Sequence, residues 1–161
     1  MNNNSTLTTF YGGWEKYQQN LIKSIAPLTH DQLNLRAAPN LRSIEELARH
    51  IVGARAGWFH QALHEEDENI VQMAQWNTKD SPSRTAAELV HGLETTWQFM
   101  KSRLDRWTPE DFAGTVTGVR RGTEFSFTRE WIIWHLIEHD LHHGGEISFT
   151  LGMNELKGIG L

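Results

Sequence analysis

The chain has 161 residues, 39% hydrophobic and 22% charged, with seven Trp and seven Phe, which suits one packed domain over 1–161 rather than a disordered tail. Its formal charge of -5, with no concentrated basic patch, gives no reason to expect a nucleic-acid partner, and no stretch reaches the roughly 18 consecutive apolar residues of a membrane span. Zero Cys excludes disulfides, thiolate catalysis and thiolate ligands from the chain itself, so a metal is expected on His, Asp, Glu, backbone or water.

Met1-Asn2-Asn3-Asn4 opens neither a basic run nor a long apolar core, so no signal peptide is read there and a cytoplasmic protein is expected. Leu7, Phe10, Tyr11, Trp14, Tyr17, Leu21, Ile22 and Ile25 recur at helical spacing and predict a first helix with an aromatic-rich stripe, ending before Pro27. Thr29-His30-Asp31-Gln32 reads as a short turn or helical cap. Ser43-Ile44-Glu45-Glu46 has capping-box spacing, and Leu47, Ile51, Ala54 and Trp58 continue the apolar face of a second helix running to about His64. The acidic run Glu65-Glu66-Asp67-Glu68 then reads as a solvated linker.

Thr85-Ala86-Ala87-Glu88 is another capping box, followed by Leu89, Leu93, Trp97 and Met100 on a third long helix. Residues 112–127 hold three glycines among alternating Thr, Val and Phe, so this long connection either lies over the helix ends or forms short extended pieces. Arg120-Arg121 within it reads as solvated loop surface. Thr128 can cap the last helix, which carries Trp131, Ile132, Leu136, Ile137 and Ile147 before Gly152. Four helices with three connections predict an all-α four-helix bundle, with Trp14, Trp58, Trp97 and Trp131 as packing residues.

The stretch with the most chemistry is Trp134-His135-Leu136-Ile137-Glu138-His139-Asp140-Leu141-His142-His143-Gly144-Gly145-Glu146. On a helix His135, His139 and His143 form a slanted row, while His142 points mostly elsewhere. Two histidines one turn apart can aim neutral imidazoles at a shared ion. A third ligand from another helix would complete the set, and His50, mid-helix and beside the apolar face, is the best placed. Two arrangements stay open: His139 with His143, or His135 with His139 and His143 behind them. Glu138, Asp140 or Glu146 can complete either by ligation or hydrogen bonding. Glu146 is the nearby carboxylate of choice, because it projects between His135 and His139.

The whole chain resembles the DinB-like superfamily, whose YfiT-like members are described as metal-dependent hydrolases and are unrelated to the DNA polymerase of similar name. The resemblance rests on Leu47-Ala48-Arg49-His50-Ile51 and on the late run from His135 to Glu146, and length and helix number agree. It implies a bundle with a divalent metal, nickel, zinc or iron, near one end. It further implies His50, His139 and His143 as ligands, water at an open position, His135 as a supporting or packing residue, and a homodimer. The family pattern commonly continues His-Arg-Gly-Gln, whereas this chain reads His143-Gly144-Gly145-Glu146.

An open position on such a metal would acidify a bound water, so a metal-dependent hydrolase of a small-molecule substrate is the first expectation, with Glu146 as the acid or base. The resemblance also reaches enzymes that transfer or isomerise with an external low-molecular-weight thiol. A third expectation is a metal-stabilised binding or stress-associated protein without turnover.

Overall fold

The structure, a computed structural model, describes residues 4–160 apart from 66, 79 and 121, and only the backbone of residues 4–10 and 120. The side chains of Leu7 and Phe10 and the Arg120-Arg121 pair therefore lie outside the described residues, as does Glu66. The order along the chain is α1 (Asn4–Ile25), α2 (His30–Leu33), α3 (Ile44–Gly57) continued by a π-helical turn (Trp58–Ala62), α4 (Glu68–Ala74) continued by a 3-10 turn (Gln75–Asn77), α5 (Ala86–Leu104), α6 (Pro109–Ala113), β1 (Thr115–Arg120), β2 (Thr123–Thr128) and α7 (Arg129–Met153).

Helix starts fall where the sequence supplies side-chain caps. Ser43 Oγ accepts the Glu46 N–H at 3.2 Å and the Glu46 carboxylate accepts the Ser43 N–H at 2.7 Å, which satisfies two amides that a helix start otherwise leaves unpaired. Thr85 and Glu88 do the same for α5, Thr29 and Gln32 for α2, and Thr108 and Asp111 for α6. Thr128 caps α7 by accepting from Trp131.

The four long helices α1, α3, α5 and α7 form the bundle, with α3 packed on α4, α5 and α7, and α1 on α5. Among the described residues, none of the helices is long and apolar enough to cross a membrane. Trp14, Trp58 and Trp97 are buried as expected, but Trp131 is 40% exposed. Within the acidic run Asp67 and Glu68 are exposed as expected, while Glu65 also pairs with Arg103 at 3.2 Å and Asp67 caps α4 through Asn69 and Ile70.

The long connection adopts the extended alternative. β1 and β2 pair antiparallel from Thr115↔Thr128 to Arg120↔Thr123, and Gly122 takes φ 79° at the turn, a conformation that L side chains resist. Phe127 stacks on Trp131 at 4.0 Å, and Phe125 and Phe127 meet Trp58 edge-on. The hairpin therefore covers the junction of α3 and α7, which leaves Trp131 sandwiched yet partly open.

One polar network sits inside this apolar packing. Arg55 of α3 is fully buried against fully buried Asp140 of α7, with its Nη2 donating to Asp140 Oδ2 at 2.6 Å and its Nε to the same oxygen at 3.0 Å. Trp14 of α1 donates to Asp140 Oδ2 at 2.7 Å, Arg55 Nη2 also donates to Gln18 at 2.7 Å, and Gln18 reaches the Leu93 carbonyl of α5. Removing one member of such a pair leaves the other charge stranded in low dielectric. Asp140→Asn is expected to lower the unfolding free energy by about 3–5 kcal/mol in urea denaturation. The double variant R55M/D140L should recover most of that, and a D140N protein as stable as the parent would contradict the role.

Candidate metal centre

His50 projects from α3 and His139 and His143 from successive turns of α7, so the α3–α7 contact decides whether they meet. They do. His50 Nε2 and His139 Nε2 lie 3.0 Å apart, ring centroids are 4.7 Å apart for His50–His139 and His50–His143 and 4.4 Å for His139–His143, and one ligand atom from each of the three falls within 4.8 Å of the others. An ion bound by imidazole at about 2.0–2.1 Å brings its ligand nitrogens to about 3 Å from one another. The His50–His139 spacing already has that value.

The outer ring nitrogens explain the orientation. His50 Nδ1 lies 2.6 Å from the Asn77 side-chain oxygen, and His143 Nδ1 lies 2.6 Å from Glu146 Oε2. Both partners only accept, so each Nδ1 carries the proton and each Nε2 keeps a lone pair for a Lewis acid. His139 Nδ1 is buried with no hydrogen-bond partner among the described residues. Three imidazoles with no thiolate in reach form a donor set that suits nickel, zinc or iron.

Electrostatics favour the neutral, metal-competent form. Burial pushes the His139 pKa from 6.5 down to about 2, with the positive charges of His143, His50, His135 and Arg55 adding to the effect. Burial likewise lowers His143, opposed by the hydrogen bond and charge of Glu146 and reinforced by His142 and Arg42.

The other residues singled out in the sequence fall around this cluster in distinct ways. His135 is outside the three-residue group: it stacks on Trp131 at 5.2 Å and meets Trp58 edge-on at 5.2 Å, with its ring 6.0 Å from that of His139. Glu138 is exposed and lies 3.9 Å from His135 Nδ1. Asp140 faces away from the histidines into the Arg55 network. Glu146 holds His143, and together with His142 and His143 it forms a second, more exposed grouping of potential ligands.

Nothing in residue order marks Asn77 as a partner of His50, since it is distant in sequence and amides are common in turns. Its approach depends on Gly53, one turn after His50 on α3, where a Cβ would come within 2.6 Å of Asn77 Cβ. Arg55 and Asp140 did leave a signal: both are charged residues at positions the helical repeat assigns to the apolar stripe. At Gly144, where the family's pattern commonly has Arg, a Cβ would overlap the Tyr17 hydroxyl of α1, so a side chain there requires the Tyr17 ring to move.

The architecture and site define a DinB-like helical fold with a histidine cluster at the α3–α7 junction. The chain belongs to the Mycothiol-S-transferase family, whose model matches residues 13–150. Among solved structures, it is similar to a DinB-like protein from Bacillus cereus, with a TM-score of 0.72 at 22% identity over 94% of this chain and 95% of that one. It is also similar to a conserved protein from Enterococcus faecalis, with a TM-score of 0.64 at 15% identity over 93% and 95% of the two chains. None of the curated proteins compared with the chain matches it.

The His139 environment sets a pH dependence for the metal-free protein. Between 6.5 and about 2 the unfolded chain takes up a proton that the folded imidazole refuses. Stability should therefore be insensitive to His139 above that window and fall as pH drops through it. Urea midpoints at about pH 8 and about pH 5 should show a smaller drop for His139→Gln than for the parent. Equal drops would refute the assignment.

Proposed function

We propose that this protein is a metal-dependent S-transferase that uses an external low-molecular-weight thiol, with His50, His139 and His143 as the metal ligands. The observation that carries the reading is the convergence of three imidazoles, two with their outer nitrogens already committed to Asn77 and Glu146. The family match supports the thiol half of the reading, and the absence of Cys requires that the sulfur arrive from outside.

A divalent cation bound there would stabilise a thiolate and so raise the fraction of nucleophilic sulfur at neutral pH. In the transfer, the thiol S–H bond and the bond from an electrophilic carbon to its leaving group break, an S–C bond forms, and the proton leaves bound to the displaced group. The chain's own contribution is positioning. Asn77 and Glu146 fix the tautomer and rotation of His50 and His143, while burial keeps His139 neutral so that it remains a ligand. Glu146 is thereby a positioning residue for His143, and hydrolysis with Glu146 as base has weaker support, since one of its oxygens is already taken.

Metal content measured by elemental analysis after native purification tests the ligand set. His50→Ala, His139→Ala and His143→Ala should each lose bound metal while remaining folded by circular dichroism. Asn77→Ala and Glu146→Gln should keep the metal but weaken its affinity by about 10–100-fold. Full metal occupancy in any of the three His variants would overturn the assignment of that residue.

A further inference from the structure

We infer that Arg42 is the group through which this site recognises its small-molecule ligand, and that the ligand carries a carboxylate. The inference rests on the metal-site reading above and adds the class of molecule that reaches it.

Arg42 is exposed, immediately before the Ser43 cap of the helix that bears His50. Two cavities flank the histidine cluster. One, of about 360 Å³, reaches His50 and Asn77; the other, of about 330 Å³, reaches His143 and Glu146. Arg42 is the side chain that lines both, and its charge acts on His143.

Its guanidinium is also uncommitted. Arg36, Arg49, Arg55, Arg84 and Arg103 each pair with a carboxylate of the chain, and Arg106 and Arg129 donate to backbone carbonyls. Among the described residues Arg42 makes no hydrogen bond or ion pair. Nor does either cavity supply an anion for it: Glu46 is held by Arg36 and the Ser43 N–H, and Glu146 is held by His143. A planar fork of donors left open beside a reaction site matches the two oxygens of a carboxylate. Leu47 and Phe149, in the wall of the second cavity, offer apolar surface for the body of such a ligand.

The carboxylate can belong to the thiol or to the electrophile that accepts the sulfur, and matched probes separate the two. Amide chemical-shift titrations on zinc-loaded and metal-free protein would compare 3-mercaptopropionate with 3-mercaptopropionamide, and succinate with succinamide. At least one carboxylate should bind about tenfold more tightly than its amide, and Arg42→Gln should abolish that preference without weakening the amide. Arg42→Lys, which keeps the charge but not the fork, should restore part of it.

A preference confined to the mercapto pair assigns the carboxylate to the thiol, and one in the succinate pair assigns it to the acceptor. Equal binding of acids and amides to the parent, a preference that survives in R42Q, or parallel loss of acid and amide binding in R42Q would each overturn the proposal. Failure of the metal reading is separately visible. A parent protein that takes up no zinc but still prefers carboxylates in an Arg42-dependent way would retain this inference and lose the other.

Discussion

The buried Arg55–Asp140 ion pair is the constraint on which the rest of the structure depends. A guanidinium and a carboxylate removed from water are tolerable only when nearly every donor and acceptor is satisfied, and here the partners come from all four long helices: Trp14 and Gln18 of α1, Arg55 of α3, Leu93 of α5 and Asp140 of α7. Hydrophobic burial is non-directional and resists a slip only through the voids and overlaps it would create. A bidentate charged contact resists it directly, because a shift of one residue in α7 would leave both charges unpaired. The network thereby sets the register of α7 against α3.

That register has a direct consequence for the site. Asp140 follows His139 in sequence, and Arg55 lies little more than one turn beyond His50 on α3. Locking the first pair therefore places the second, and His50 Nε2 meets His139 Nε2 at 3.0 Å. At that distance a neutral His139 carrying its proton on Nε2 can donate to His50 Nε2, and a bound cation would take the place of that proton. Asn77 and Glu146 complete the arrangement from outside by holding the opposite nitrogens.

The same cluster is bounded by two unlike surroundings. On one side, His135, Trp131, Phe127 and Trp58 form a run of stacked and edge-on rings that connects the hairpin to the bundle. On the other side the cavities at His50 and His143 are open to solvent and share Arg42. A ligand would reach the histidines from the charged side, with the aromatic row as a fixed back wall. Family membership and the lack of Cys agree with a thiol brought in as co-substrate.

Much of this molecule was legible from residue order because it is governed by local rules. The long helices follow from apolar spacing, and their starts at Ser43, Thr85 and Thr128 follow from side chains that can bond only the amides a few residues ahead. His139 and His143 share a helix face for the same reason, His50 stands out by its place mid-helix beside the apolar face, and resemblance to a known family implies all three as ligands. The hairpin over 115–128 is not fixed by residue order, since alternating Thr, Val and Phe pair only once a partner strand is in register. What the tertiary structure alone decided were the contacts between distant segments: Asp140 on Arg55 instead of on the histidines, Asn77 on His50, Tyr17 against Gly144, and His135 stacked behind the cluster. Each depends on the distance and rotation between two elements, which a helical repeat does not encode. The sequence by itself determined which side chains could serve a metal; helix register and close packing determined which of them meet.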